Sequence, residues 1–99
     1  MQSFISRKCS IYHKTVIGLN VKIFGPSIIK ANTYLDDYIT IGYPVRMKIK
    51  EAIKKNGNES LDLLLDELSD GSYIGESCII RRSSIIYEHV SIGNSVELG

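Results

Sequence analysis

Seven consecutive six-residue blocks counted from Ile5 each open on isoleucine or leucine: Ile5, Ile11, Ile17, Ile23, Ile29, Leu35 and Ile41. The fifth place of each block is slim or β-branched (Cys9, Thr15, Val21, Ser27, Thr33, Ile39, Val45), and none of these fourteen places carries a charge. The count resumes at Ile74 and passes through Ile80, Ile86, Ile92 and Leu98, with Cys78, Ser84, Val90 and Val96 in fifth place. Helices repeat every 3.6 residues and strands every two, so neither alone produces a period of six. Ile, Leu and Val make up roughly three residues in ten, and seven openers in a row would then arise by chance roughly twice in 10,000 trials.

A period of six follows if each block is a short strand ending in a bend of about 120°. Three blocks then close a triangular coil of about 18 residues, and coils stack at the ~4.8 Å spacing of paired strands. The opener fills the interior and the fifth residue packs beside it near the corner. Glycine after the opener (Gly18, Gly42, Gly75, Gly93) and asparagine at other corners (Asn20, Asn32) are expected to relieve the tight backbone there. The predicted fold is all-β: a left-handed parallel β-helix of about four coils, an exception to the right-handed rule for crossovers. The sixteen isoleucines agree with it, since β-branched side chains suit a pleated, half-buried surface.

Between the two runs the count fails. Continued past Val45, the frame would bury Glu51 unpaired, which an apolar interior does not accept. Residues 47–73 instead show helical spacing. Met47, Ile49 and Ile53, with Glu51 four places before Lys55, predict a short first helix. Asn56-Gly57-Asn58 marks a turn, and Leu61, Leu64, Leu65 and Leu68 predict one face of a second helix closing near Gly71. The domain is therefore expected as coils over 5–46 and 74–99 with a helical insertion over 47–73. That insertion is expected either to reach a neighbouring subunit or a substrate site, or to cover the side of its own solenoid.

Composition bounds the function. Ninety-nine residues with a net charge of +1 give no overall pull toward nucleic acid or an anionic membrane. Lys48, Lys50, Lys54 and Lys55 are expected as a solvated face, since acidic residues follow closely and no aromatics interleave. No apolar run has the length of a membrane span, and the start lacks the apolar core of a signal peptide. A cytoplasmic protein is the expectation. The two cysteines form no metal-spaced pair. Their fifth-place positions predict slim buried hydrophobes, with a disulfide left open.

The hexads resemble those of the hexapeptide-repeat acyltransferases. The stretch YIGESCIIRRSSIIYEHVSIGNSVELG (73–99) is similar to the branch acting on sugars and nucleotide-linked sugars, and IGYPVR (41–46) resembles the turn before an insertion in such proteins. The resemblance covers about seventy residues. It implies a homotrimer, with acetyl-CoA or another acyl-CoA as co-substrate lying between neighbouring prisms and no metal. It also implies a small acceptor whose amine or hydroxyl gives up its proton to a histidine base; an imidazole near pKa ~6.5 suits that task at neutral pH. In that branch the phrase matching Val96-Glu97-Leu98-Gly99 precedes the histidine, so the chain reads as an amino-terminal portion whose expected base lies beyond Gly99.

Within the chain the candidate base is His89, with Arg81, Arg82 and Tyr87 as candidate contacts to substrate or co-substrate; an Arg pair suits a phosphate. His13 is the other histidine. His89, His13, Tyr12, Tyr34, Tyr38 and Tyr87 are all expected to point outward, the tyrosines in numbers that suit a subunit interface. The alternative reading is a non-catalytic assembly or binding module, such as the β-helix tail of a sugar nucleotidyltransferase. A carbonic-anhydrase-like zinc site is disfavoured, because it needs three histidines and the sequence holds two.

Overall fold

The computed structural model describes residues 3–55 and 60–99, without the Lys55 side chain. Along the first run lie β1 (Phe4–Ile5), β2 (Ser10–Ile11), β3 (Val16–Ile17), β4 (Lys22–Ile23), β5 (Ile28–Ile29), β6 (Tyr34–Leu35) and β7 (Thr40–Tyr43). Two helices follow, α1 (Arg46–Lys55) and α2 (Leu61–Leu68). The second run holds β8 (Tyr73–Ile74), β9 (Ile79–Ile80), β10 (Ile85–Tyr87), β11 (Ser91–Ile92) and β12 (Glu97–Leu98).

These strands form three parallel four-stranded sheets, ordered β1-β4-β7-β10, β2-β5-β8-β11 and β3-β6-β9-β12. Every third strand is a neighbour, so the chain passes through the three sheets in rotation: a parallel β-helix-like stack of four coils. The register carries the arithmetic. Ile5 stands against Ile23 and Tyr73 against Ser91, each 18 residues on. Across the interruption Ile29 meets Ile74 and Leu35 meets Ile80, each 45 on. The difference, 45 less 18, is the 27 residues of the insertion, and the phase resumes undisturbed behind it.

Block openers fill the interior. Ile23, Ile29, Leu35, Ile41, Ile74 and Ile80 have no accessible surface, nor do the fifth-place residues Val21, Ile39 and Cys78. Burying each such aliphatic contributes about 1.5–3 kcal/mol. Ile5, on the lowest coil, is 40% exposed because it has a neighbour on one side only. Thr33 is buried with its hydroxyl donating to the Gly75 carbonyl at 2.9 Å, and Ser27 likewise donates to Phe24 at 2.8 Å. Both cysteines are free thiols, Cys78 buried and Cys9 half-buried.

Five sequence expectations are corrected. Val45 does not line the interior; it is 39% exposed, because the backbone leaves the coil at Pro44 to begin α1. Val90, on the top coil, is also exposed. The expected apolar face of the first helix does not pack as one: Met47 and Ile53 are exposed, and Ala52 is the buried residue, since α1 begins at Arg46 and turns that side inward. In α2, Leu64 and Leu65 are buried but Leu61 is exposed. Ser60 caps α2, accepting from the Leu63 N–H at 3.2 Å, and the helix ends at Leu68, short of Gly71. The Asn56-Gly57-Asn58 turn lies outside the described residues.

The glycines need a further correction. Gly18 and Gly75 do not sit at positive φ; they are where the next coil comes too close for a side chain. Gly42, at φ 80°, and Asn20 and Asn32 do relieve the tight corners as expected, and the fourth place of the blocks bears the left-handed backbone at eight corners: Lys14, Asn20, Asn32, Tyr38, Ser77, Ser83, His89 and Ser95 all have φ between 55° and 67°. An L-residue there costs about 1–2 kcal/mol, least for Asn.

The insertion covers its own solenoid. Lys22 Nζ pairs with Asp62 at 2.9 Å, the Gly25 N–H donates to Asp66 at 2.6 Å, and the Ser69 hydroxyl donates to the Gly42 carbonyl at 2.6 Å. Along the β1-β4-β7-β10 sheet an aromatic series runs through all four coils, Phe4–Phe24–Tyr43–Tyr87, with ring centroids 5.5, 6.4 and 5.8 Å apart.

Candidate functional site

The insertion leaves the solenoid after Tyr43 and returns at Tyr73, and the corner Glu88-His89 of the fourth coil lies directly above its point of departure. Tyr87 pairs with Tyr43 in the sheet, and the Glu88 N–H donates to the Tyr43 carbonyl at 2.9 Å. The corner geometry is set by the backbone: His89 takes φ 64° and its N–H donates to the Gly71 carbonyl at 2.8 Å.

The Glu88 side chain has no accessible surface. One oxygen accepts the Val45 N–H at 2.8 Å; the other accepts the Asp70 N–H at 2.8 Å and Lys48 Nζ at 2.8 Å. Burial pushes the carboxyl up, but Lys48 and the two N–H donors outweigh it and hold Glu88 below the usual carboxylate range. Lys48 also reaches Asp70 at 2.9 Å and the Leu68 carbonyl at 3.0 Å, and hydrogen bonding to both carboxylates raises its affinity for its proton.

His89 Nε2 stands 3.0 Å from the same Asp70 oxygen and 4.0 Å from Glu88. Asp70 is held below its ordinary range first by the hydrogen bond from Lys48 and then by its charge, with His89 adding to it. Nε2 is the ring nitrogen nearest Asp70, and Nδ1 has no partner among the described residues. The imidazole is about two-thirds exposed and stands at the rim of an open cavity of about 270 Å³. Pro26, Ile28, Tyr73 and Val90 give that cavity apolar walls, with Asp70 and His89 as its ionisable groups.

Asp70, Glu88 and His89 could each offer a ligand atom to a metal, all within 4.8 Å of one another. Lys48 Nζ already stands between the two carboxylates, however, and supplies the positive charge a metal would bring. The donor set therefore fits an ammonium better than a divalent ion.

The other candidate residues lie elsewhere. Arg81 pairs with Glu97 at 3.1 Å, and Arg82 reaches Asp36 and Asp37 at 3.4 and 3.6 Å, at the preceding corner and outside the cavity's lining. Tyr87 is half exposed, with its ring edge-on to Tyr43. His13 is exposed and makes no ion pair among the described residues. Sequence reasoning singled out His89 and missed Asp70, Lys48 and the buried state of Glu88. The signal was available: a 27-residue insertion implies a 45-residue offset, which puts Glu88 and His89 above the residues where the insertion departs.

No protein-family model, curated protein or solved structure gives a significant match to this chain. Among the described residues, no helix is long and apolar enough to cross a membrane.

Proposed function

We propose that this chain serves an acyl-CoA-dependent acyltransferase built on a left-handed β-helix. In this reading His89, oriented by Asp70, takes the proton from an acceptor bound in the adjoining cavity. The observation that carries it is the 3.0 Å contact between His89 Nε2 and Asp70 at the rim of an open cavity. A carboxylate on one ring nitrogen fixes the imidazole's orientation and leaves the other nitrogen basic. The single positive-φ residue in fourth place at eight corners supports the left-handed winding.

The chemistry balances simply. The acceptor's amine or hydroxyl attacks the thioester carbonyl as its proton passes to His89. The tetrahedral adduct then expels the CoA thiolate, which takes that proton back from the imidazolium. The acceptor is small and sugar-like, the working assembly is a homotrimer in the cytoplasm, and the acyl-CoA lies outside this cavity, in a groove completed by a neighbouring subunit.

The test is acceptor-dependent thiol release from acetyl-CoA across a panel of amino sugars and simple polyols. Loss of a general base costs about 10²–10⁴-fold. His89→Ala should fall by that much, with Asp70→Asn falling less. Acceptor-dependent turnover that His89→Ala leaves unchanged would overturn the proposal.

A second reading, a non-catalytic assembly module, is favoured by a different observation. Val16 and Tyr34 stack on the outer face of one sheet at 54% and 42% exposure, an apolar row that suits contact with another subunit.

A further inference from the structure

Helix α1 meets the rest of the chain along one side. Lys48 reaches Glu88 and Asp70, and Ala52, one turn on, is buried. The opposite side has no such partner. Arg46, Lys50 and Lys54 are exposed at four-residue steps, and none of them makes an ion pair among the described residues. Met47 is 70% exposed and Ile53 67%. At 3.6 residues per turn, Met47, Lys50 and Lys54 share the stripe that faces away from Ala52, with Arg46 and Ile53 on its shoulder.

Neither helix stability nor the chain's overall balance explains this face. Five of the ten residues of α1 are Lys or Arg and one is Glu, whereas the rest of the chain holds seven basic residues against ten acidic ones. The small net charge therefore conceals a positive helix on a negative body, a local pull that the overall charge does not register. Cations suit the C-terminal end of a helix, which accounts for Lys54. Arg46 sits in the first turn, where the helix dipole opposes it and no acidic residue stands. Met47 and Ile53, left in water, contribute little burial to the fold.

We infer that the outer face of α1 is a docking surface for an anionic lipid bilayer. Arg46, Lys50 and Lys54 meet the lipid phosphates, while Met47 and Ile53 enter between the headgroups. The lysine stems lie along the same apolar boundary with their ammonium groups among the phosphates. Charge complementarity selects an anionic occupant, and the apolar pair decides which one. A nucleic acid would use the cations but gives Met47 and Ile53 nothing to enter, and α1 carries no aromatic to stack on a base. A second copy meeting this face across a two-fold axis would set like charges against one another. Because Lys48 is fixed to Glu88, the helix already presents this face outward, and docking needs no further ordering of it.

The probe is a pair of vesicles: pure phosphatidylcholine, and phosphatidylcholine with about one phosphatidylglycerol in four lipids. In about 0.1 M salt the chain should sediment with the mixed vesicles and bind the neutral ones at least tenfold more weakly. Lys50→Gln combined with Lys54→Gln should weaken mixed-vesicle binding at least tenfold, and Met47→Ser combined with Ile53→Ser should do the same. All four side chains are exposed, so both double variants should keep the parent's circular dichroism and unfolding midpoint. The chain lacks tryptophan, so Met47→Trp supplies a single reporter whose emission should shift to the blue on the mixed vesicles. No binding to the mixed vesicles, equal binding to both kinds, or undiminished binding by the serine variant would each overturn the inference. So would a DNA duplex bound more tightly than the mixed vesicles, or self-association of the free chain that the serine variant loses. These readouts involve no acyl transfer, so they stand or fall apart from the proposed activity.

Discussion

Lys48 Nζ of α1 lies 2.8 Å from Glu88 Oε1 on the fourth coil, an ammonium from the insertion meeting a carboxylate with no accessible surface. The same carboxylate accepts N–H groups from Val45 and Asp70, so one side chain ties together the departure and the return of the 27-residue excursion. Removing one partner of such a pair strands the other's charge. Lys48 keeps 29% of its side-chain exposure, which tempers the loss. Lys48→Met should therefore destabilise the fold by about 2 kcal/mol, below the full cost of breaking a wholly buried pair. Urea denaturation checks this, and a variant within about 0.5 kcal/mol of the parent would show the pair to be incidental.

Acid should loosen the same junction. Glu88 titrates below its ordinary value of 4.5 in the folded chain, so the unfolded chain binds its proton first. The stability it contributes is fully present above 4.5 and is lost as pH falls through the lower, folded value. Asp70 acts in the same sense from its ordinary value of 3.8. Unfolding free energy measured from pH 7 to 3 should fall steeply at the acid end. Glu88→Gln, which cannot titrate, should start lower and show a shallower acid slope. Parallel curves for the two proteins would refute the linkage.

Two glycines at equivalent places should respond in opposite ways. Gly75→Ala puts a methyl 2.5 Å from Asn94 Oδ1 and 2.7 Å from the Gly93 backbone, and should cost about 2 kcal/mol or more. Gly93→Ala meets nothing and should change thermal stability by less than about 0.5 kcal/mol. Calorimetry on the pair gives the comparison directly; equal effects would mean that the coils give way easily at this corner.

The interior should grade from the middle of the stack outward. Ile80 is wholly enclosed, whereas Ile5 keeps 40% exposure. Ile80→Ala should cost about 3–4 kcal/mol through lost burial and the cavity left behind. Ile5→Ala should cost about 1 kcal/mol, since much of that side chain never left water. Denaturant midpoints would order them, and an Ile5→Ala effect equal to Ile80→Ala would show that the lowest coil is as tightly packed as the middle.

The hexad count alone placed the openers inside, separated two runs of coils, gave the insertion its length and put Cys78 in the core. It could do so because burial in a stack of coils depends on a residue's place in its own block, and that place is written locally. The count misjudged Val45 because the chain's departure for α1, not the phase, decides where that residue goes. It assigned Gly18 and Gly75 to backbone freedom when they answer to Asp37 and Asn94, each one coil away. It named His89 but not the Asp70, Lys48 and Glu88 around it, because those groups meet only where both ends of the insertion touch the fourth coil, Lys48 lying 40 residues and Asp70 18 residues before Glu88. A period repeated along the chain specifies what faces inward; only the stacked structure decides which distant corners touch.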